Sequence, residues 1–365
     1  MNELDYYIIF DGMEINCENY KDKVKIAAAR VGFNRPPDSI NPDRPDKNLN
    51  IDAVKEYKDG NIKRTADVFR MAGEQGVDLV LSHEDIVGGG HYARNELRHI
   101  FSEIAEEIPG PTSDMLSEIA RKYNMYAVAC YYEKDSGKYY NTAVLIGRGG
   151  EIAGKYRKIH LPGLERWLVE PGSETPVFKT DIGNIGIGIC YDIAFPEQMR
   201  SLALNGADII LHPTVGWGFV YGERDSMGEA LARVRAAENQ CYLVYAKNYP
   251  GGKSCIVSND GSILAENSNT DEDGIAIAEF KSDYDLMRED SYWSFLANLP
   301  SIRARMAYER HPNSYGALTK DIPEIIKDRY SIYEFSGNNE EISREIGELW
   351  NQWRQGKIKL PYVWD

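Results

Sequence analysis

The residues best suited to chemistry surround Cys190, in the segment Ile185-Gly186-Ile187-Gly188-Ile189-Cys190. An apolar run interrupted by glycines predicts a buried strand that ends at the thiol, and Pro196 and Glu197 then indicate a turn into a helix. The carboxyl edge of a sheet is where α/β enzymes hold their nucleophiles. We therefore interpret Cys190 as a candidate nucleophile, although an isolated cysteine is more often a buried structural thiol.

Two further reactive side chains end predicted strands: Glu84 follows the apolar segment 79–81, and Lys158 follows the segment 152–157. A thiol is mostly protonated at neutral pH, so it needs a base, and a buried carboxyl with a raised pKa could take its proton. The ammonium would favour thiolate and stabilise an oxyanion, with the backbone N–H of Tyr191 as a second donor. If these strand ends converge, the set predicts attack on an amide or nitrile carbon through a thioester.

Each of these assignments has a neighbouring alternative. Asp85 adjoins Glu84, and Lys155 precedes Lys158 by three positions. We interpret Lys155 as a surface residue. The six histidines show no metal-ligand spacing, so we expect no metal site.

The elements that must position these groups alternate between strand and helix, which predicts an α/β fold. Strands are predicted at 24–32, 78–81, 127–132, 142–147, 152–158, 185–189, 207–211, 241–246 and 275–280, and helices around 62–72, 113–123, 196–205 and 226–240. Hairpins around 142–158 and 252–280 predict mixed sheets. We also expect a long loop from 34 to about 60, Ser113 as a helix N-cap, and an amphipathic helix near 342–353.

Composition narrows the class of protein. The chain has 365 residues and a net charge of −15, which disfavours nucleic acid and anionic membrane surfaces as partners. Its five cysteines are irregularly spaced and contain no CxxC pair, as expected for a reducing, cytoplasmic location. We expect no membrane-spanning helix, because no apolar stretch is long enough, and no signal peptide.

Four motifs in order resemble the nitrilase, or carbon–nitrogen hydrolase, superfamily. They are Glu84 after a buried strand, the Tyr156-Arg157-Lys158-Ile159-His160-Leu161 run, the Ile189-Cys190-Tyr191-Asp192-Ile193-Ala194-Phe195-Pro196-Glu197 run, and the later segment 235–239. Glu165, a few residues beyond the lysine, matches the family's supporting second glutamate. The resemblance covers roughly residues 24–283. Ser82 and His83 stand where the family usually has Phe-Pro before the first glutamate, so the histidine could alter the pKa of the base.

The resemblance implies a four-layer α-β-β-α sandwich with two mixed β-sheets and no cofactor. It also implies that Glu84 acts as base, Lys158 and Cys190 as oxyanion donor and nucleophile, and Glu165 as their support. On this basis we expect a carbon–nitrogen hydrolase domain over 1–283 and a C-terminal extension over 284–365. The extension is expected to take part in forming a homodimer or higher homo-oligomer.

The residues after the nucleophile indicate which branch of the superfamily the chain resembles. Nitrilases of this family usually carry Cys-Trp-Glu, whereas Cys190-Tyr191-Asp192 stands here, which favours an amide or carbamoyl substrate. Members that act on carboxylate-bearing substrates often have an arginine where Ala194 and Phe195 stand, so a carboxylate partner would be Arg166 or a loop residue. Trp217 is expected to line an apolar part of the pocket. An N-carbamoyl amino acid or amine hydrolase, a nitrilase, an N-acyltransferase and a non-catalytic binding module remain alternatives.

Overall fold

The computed structural model describes residues 20–32, 36–42, 49–93, 97–216, 226–248, 253–267, 272–282 and 302–320, together with residues 352 and 357. In chain order its first elements are β1 (Lys23–Arg30), α1 (Ile51–Glu74), β2 (Leu79–Leu81), α2 (Arg98–Ile104), α3 (Pro111–Tyr123), β3 (Tyr126–Asp135), β4 (Lys138–Ile146) and β5 (Ile152–Arg157). They are followed by β6 (Val177–Thr180), β7 (Gly183–Ile187), α4 (Pro196–Leu204), β8 (Ile209–Thr214), α5 (Ser226–Asn239), β9 (Tyr242–Lys247), β10 (Cys255–Val257), β11 (Ile263–Glu266), β12 (Gly274–Lys281) and α6 (Ile302–Tyr308).

The strands form two mixed six-stranded sheets. The first has the order β12-β1-β2-β3-β4-β5 and the second the order β11-β10-β9-β8-β7-β6. Within each sheet three central strands are parallel, β1 to β3 in the first and β7 to β9 in the second, and the flanking pairs are antiparallel. The carboxyl ends of parallel strands share one edge of a sheet, so this topology brings loops from several strands together.

Three apolar cores separate four layers. Along β1, Ile26 and Ala28 face the second sheet, whereas Ala27 and Ala29 pack towards the helices of the first. This alternation follows the two-residue period of a strand. A third core lies between the second sheet and the helices α4 and α5. The arrangement is the α-β-β-α sandwich that the resemblance implied.

The predicted loop over 34–60 is wrong in its second half, because α1 begins at Ile51. The side-chain oxygen of Asn50 caps this helix by accepting from the backbone N–H groups of Asp52 and Ala53. The loop was predicted because the stretch is rich in Pro, Asp and Asn, but most charged residues of 51–60 lie on the solvent face of a helix that buries Val54 and Tyr57.

The prediction that Ser113 caps α3 is also wrong. The helix begins at Pro111, and Ser113 lies inside its first turn, where its hydroxyl accepts from the backbone N–H of Gly110 at 2.8 Å. Proline is favoured at the first helical position because its missing N–H is not needed there. The segments 177–180 and 98–104, for which we predicted no element, form β6 and α2. The helix expected near 342–353 lies almost entirely outside the described residues.

Candidate active site

Cys190 opens a one-turn 3-10 segment, Cys190–Ala194, which follows β7 after two residues, so the strand predicted to run to 189 ends at Ile187. Its φ of +48° lies in the left-handed region, which side-chain-bearing residues rarely adopt. The buried carboxylate of Asp192 holds this turn by accepting from the Ile189 N–H at 2.8 Å and the Tyr156 hydroxyl at 2.7 Å. It also bonds to His160, through the backbone N–H at 3.0 Å and Nδ1 at 2.8 Å. Asp192 therefore ties the cysteine turn to the segment that follows β5.

Glu84 lies just beyond β2 and is buried. Its Oε1 accepts from Lys158 Nζ at 2.7 Å and from Asn141 Nδ2 at 2.9 Å. Its Oε2 accepts from the backbone N–H of Val215 at 3.0 Å, and the carboxylate also interacts with the Cys190 thiol. The glutamate from the first sheet thus meets the nucleophile and the end of β8 from the second.

Lys158 bridges two carboxylates. Its side chain is 1% exposed, and Nζ donates to Glu165 Oε2 at 2.9 Å as well as to Glu84. Glu165 Oε1 accepts from Asn141 Nδ2 at 2.7 Å and from the Tyr132 hydroxyl at 3.2 Å. The two acids and one ammonium form a hydrogen-bonded set in which Asn141 spans both carboxylates.

The electrostatic state of Glu84 differs from our expectation of a raised pKa. Burial does raise the pKa of this carboxyl, but the Lys158 charge and the hydrogen bonds from Cys190, Lys158 and Val215 outweigh burial. The pKa of Glu84 therefore lies below its usual range. His83, whose own pKa burial lowers to about 3, is a neutral ring beside the base. The same two carboxylates hold the pKa of Lys158 well above its usual range against the effect of burial.

The pKa of the Cys190 thiol shifts in the opposite direction. Burial and the negative charge of Glu84 raise the pKa of Cys190 to about 12, although Lys158 and the Thr214 hydroxyl lower it in part. At neutral pH the site therefore contains a protonated thiol facing an ionised carboxylate. A base is in place to accept the thiol proton as sulfur begins to bond to a substrate.

The structure brings together the four residues Glu84, Lys158, Cys190 and Glu165 that the sequence singled out. Tyr191 adjoins the nucleophile, with its ring edge-on to Phe195 at a centroid distance of 5.3 Å. Arg166 lies on the 3-10 turn Gly163–Trp167 beside Glu165 and is exposed. Trp217 lies outside the described residues.

The neighbouring alternatives lie apart from this hydrogen-bonded set. The carboxylate of Asp85 accepts from the backbone N–H groups of Gly89 and Gly90 at 2.8 and 2.7 Å. Lys155 pairs with Glu133 and remains partly exposed. Both therefore have other partners.

Sequence reasoning missed Asn141, Tyr132 and Thr214. Asn141 is a buried polar residue inside the otherwise apolar strand β4, and buried polar groups need hydrogen-bond partners. That contrast is the signal that could have found it. Tyr132 and Thr214 carry no comparable signal, because both residue types are common in strands.

Two features are absent from the described residues. No group of three or more His, Cys, Asp or Glu side chains there could hold a metal ion. None of the described helices combines the length and apolar character needed to cross a bilayer.

The four-layer sandwich, with a polar site at the ends of its parallel strands, defines the class of α/β enzymes that hydrolyse carbon–nitrogen bonds. The model of the carbon-nitrogen hydrolase family matches residues 47–289. The chain therefore belongs to the carbon-nitrogen hydrolase family, within the nitrilase superfamily.

Individual relatives fit this assignment. A nitrilase from Pyrococcus abyssi is 37% identical over 230 residues, which cover 60% of this chain and 83% of that protein. The human omega-amidase NIT2 is 32% identical over 231 residues, covering 58% and 80%.

Solved structures show the same fold at lower identity. Nit3 from Saccharomyces cerevisiae is 24% identical with a TM-score of 0.58, covering 78% of this chain and 97% of that one. A variant of the amidase from Nesterenkonia sp. AN1 in complex with butyramide is 23% identical with a TM-score of 0.55, covering 75% and 96%.

Proposed function

We propose that this protein is an amidase that cleaves the C–N bond of a small amide through a thioester on Cys190 and releases ammonia or an amine. The observation that carries the proposal is the meeting of the Cys190 thiol, the Glu84 carboxylate and the Lys158 ammonium at the facing edges of two sheets. A thiol, a base and a cation are the groups that acyl transfer requires.

In the acylation step, sulfur attacks the amide carbon while the thiol proton passes to Glu84. The negative charge on the substrate oxygen is stabilised by Lys158 and the Tyr191 N–H. The C–N bond then breaks, and Glu84 returns the proton to the leaving nitrogen, which departs as ammonia or an amine. Because the proton moves during the attack, the high pKa of the free thiol does not prevent reaction.

In the deacylation step, water attacks the thioester and gives its proton to Glu84. The C–S bond breaks, the carboxylic acid leaves, and the thiol regains a proton. Glu165 keeps Lys158 in place through both steps, since it holds the second side of the ammonium. Each cycle therefore consumes one water and restores the enzyme.

Two further observations support amide chemistry. Tyr191 and Asp192 stand where nitrilases of the family usually have Trp and Glu. A variant of the Nesterenkonia amidase of the same fold carries a covalent addition of the acetamide moiety of fluoroacetamide at its active-site cysteine. Butyramide, fluoroacetamide and related small amides are therefore suitable first probes for this chain.

The test is a panel of amides, N-carbamoyl compounds and nitriles screened for ammonia, combined with intact-mass detection of an acyl group on the protein. Ammonia from amides and an adduct mapped to Cys190 are the expected results. Release of carbon dioxide with ammonia would instead identify a carbamoyl hydrolase, and reaction of nitriles alone a nitrilase. A product that incorporates added amine would identify an acyltransferase.

The matched variants are Cys190→Ala and Cys241→Ala, since Cys241 is a buried thiol outside the site. We expect Cys190→Ala to abolish turnover and the adduct while keeping the circular dichroism spectrum. Cys241→Ala should retain both. An active Cys190→Ala protein would refute the thioester.

A further inference from the structure

The proposed base, Glu84, lies in the middle of a short segment, 82–86, that is fastened to one residue of the neighbouring strand β3, Cys130. The backbone N–H of Cys130 donates to the Ser82 hydroxyl at 3.2 Å. The carbonyl oxygen of Cys130 accepts from the backbone N–H of Ile86 at 2.9 Å. Both ends of the segment that carries the base are therefore held by the same residue.

The side chain of Cys130 also reaches the site. It is fully buried, and its thiol donates to Asn141 Oδ1 at 3.3 Å. In the antiparallel β3–β4 pair, Asn141 lies opposite Tyr132, and Cys130 precedes Tyr132 by two residues. The cysteine and the asparagine are therefore diagonal neighbours on one face of the sheet. The thiol of Cys130 thus contacts the amide that spans Glu84 and Glu165.

The charges at the site decide which way the Asn141 amide faces. An ionised carboxylate only accepts hydrogen bonds, so the NH₂ group of Asn141 faces Glu84 and Glu165, to which it donates at 2.9 and 2.7 Å. The amide oxygen then needs a donor of its own, because a buried polar atom without a partner is costly. The Cys130 thiol is such a donor. Burial and the charge of Glu84 hold the pKa of this thiol well above its usual range, so it keeps its proton.

We propose that Cys130 is a positioning residue for the base, because its thiol orients the Asn141 amide that holds the Glu84 carboxylate in place. The inference rests on the proposed amidase function, in which Glu84 takes the proton of Cys190. In this role the Cys130 sulfur forms no bond to the substrate and gives up no proton. It acts through Asn141 alone, and proton transfer slows when a carboxylate moves out of hydrogen-bond reach of its thiol.

The alternative is that Cys130 only fills space, since it also belongs to the apolar core between the two sheets. The two roles predict opposite orders for a matched pair of substitutions. Serine and alanine are both smaller than cysteine, but serine keeps a donor for Asn141 Oδ1 whereas alanine removes it. At a site that only requires packing, serine is the worse replacement, because its hydroxyl is buried without a partner.

Cys130→Ser and Cys130→Ala are therefore compared with the wild type on the amide that the wild type cleaves best. We expect Cys130→Ala to lower kcat about 3- to 10-fold with little change in KM, and Cys130→Ser to stay within about twofold of the wild type. The acid limb of kcat/KM should move to higher pH in Cys130→Ala alone, because a looser amide stabilises the ionised Glu84 carboxylate less. A purely structural role does not move that limb.

Cys241→Ala is the matched control. Cys241 is also buried, and its thiol donates to the carbonyl oxygens of Ala207 and Asn239 at 3.1 and 3.3 Å. It lies before β9 begins, at the edge of the second sheet opposite the active site. This variant therefore loses a thiol donor of the same kind, and it should lower the free energy of unfolding in urea without changing kcat or the acid limb.

Equal kcat values for Cys130→Ser and Cys130→Ala, or a lower kcat for the serine variant, would overturn the inference. Where one of the two fails to fold, the other still decides. A folded Cys130→Ala protein with wild-type kcat and acid limb refutes the positioning role, and so does a folded Cys130→Ser protein whose kcat falls about tenfold or more. Failure of the amidase proposal looks different, because the wild-type protein itself then forms no acyl adduct on Cys190.

Discussion

At the scale of single residues, the site holds its proton on the Cys190 thiol and not on the Glu84 carboxylate. The pKa of the Glu84 carboxyl is lowered by the Lys158 ammonium that it contacts, and the pKa of the Cys190 thiol is raised to about 12 although the charge of Lys158 lowers it in part. The resting site is therefore a neutral thiol beside an ionised acid. Such a thiol is protected from adventitious alkylation and oxidation, because the thiolate is the reactive form.

This charge state predicts a particular pH dependence. The carboxylate of Glu84 must be ionised to accept a proton, and its pKa lies below the usual range, so kcat/KM should be lost only as pH falls below the usual titration range of a glutamate carboxyl. Alkylation of Cys190 by iodoacetamide should accelerate as pH rises and show no plateau up to about pH 10. Both profiles are measured on the wild-type protein, with Cys190→Ala to subtract the other thiols.

A different outcome would change the assignment of the base. A loss of kcat/KM centred near pH 6.5 to 7 would indicate a histidine or Asp85, because burial raises the pKa of Asp85 to about 7. His83 does not fit such a role, because burial holds its pKa at about 3. An alkylation plateau near neutral pH would show that Cys190 is already a thiolate.

Asn141 is the residue whose loss should separate positioning from chemistry. Its amide donates to both Glu84 and Glu165, so Asn141→Leu removes a donor from each carboxylate. We expect kcat to fall about 10- to 100-fold and the acid limb of kcat/KM to move to higher pH, because an ionised carboxylate that loses a hydrogen bond binds protons more readily. Steady-state kinetics over pH measures both.

Asn205→Leu serves as the control, since the amide of Asn205 bonds to Thr175 at the surface. This variant should leave the pH dependence of kcat/KM unchanged. If Asn141→Leu lowers kcat without moving the acid limb, Asn141 supports the fold of the site but does not tune Glu84.

Glu84, Lys158 and Cys190 could be predicted from sequence because each follows a predicted strand in a recognisable order, whereas Glu165 was predicted from the resemblance to the nitrilase superfamily. The direction in which the pKa of Glu84 shifts could not be predicted from sequence. It depends on the Val215 N–H at 3.0 Å, which reaches Glu84 only once the two sheets pack, and on the Lys158 ammonium at 2.7 Å, which reaches it only once the strands of the first sheet lie together. The role of Asn141, on β4 of the first sheet, was hidden because it also depends on how those strands are arranged.

At the scale of elements, the 3-10 turn Cys190–Ala194 depends on the Asp192 carboxylate. This side chain is fully buried and receives four hydrogen bonds from three residues. They offset the strain of the positive φ at Cys190. The geometry of the nucleophile is therefore set by a residue that does not contact the other catalytic groups.

Asp192→Asn tests this dependence. An amide presents an NH₂ group to donors that already point at the carboxylate, so we expect a loss of about 1–3 kcal/mol of unfolding free energy and a clear fall in kcat. Urea unfolding and steady-state kinetics measure the two effects.

Glu197→Gln is the matched control, because Glu197 lies on the exposed first turn of α4. It should change neither quantity. An unchanged stability for Asp192→Asn would show that the turn holds itself without the carboxylate.

Elements were predictable from sequence where apolar periodicity is strong, as in β1, β3 and β9. The start of α1 was not, because half of its first ten residues are charged and the tenth is Gly60. The start of this helix was missed in part because Lys58 makes a buried ion pair. Its ammonium pairs with Glu106 at 2.7 Å, a contact between distant segments that sequence spacing does not reveal.

At the scale of the whole molecule, the helices on the outside of the second sheet expose apolar surface. On α5, Met227, Ala230 and Val234 share one exposed face, and Val234 is 50% exposed. This helix packs against α4 and near the cysteine turn. We propose that this face joins two copies of the chain, in keeping with the homo-oligomer expected from the resemblance.

Val234→Asp should weaken that association. Burial of a valine side chain contributes about 1.5–3 kcal/mol, and a charge placed there must be desolvated as well, so the dimer dissociation constant should rise at least about tenfold. Light scattering coupled to gel filtration at micromolar protein should give a dimer or larger for the wild type and a lower mass for the variant. Met115→Asp, at an exposed position on α3 in the opposite outer layer, should leave the mass unchanged. A wild-type monomer, or equal masses for all three proteins, would show that this face of α5 is not the interface.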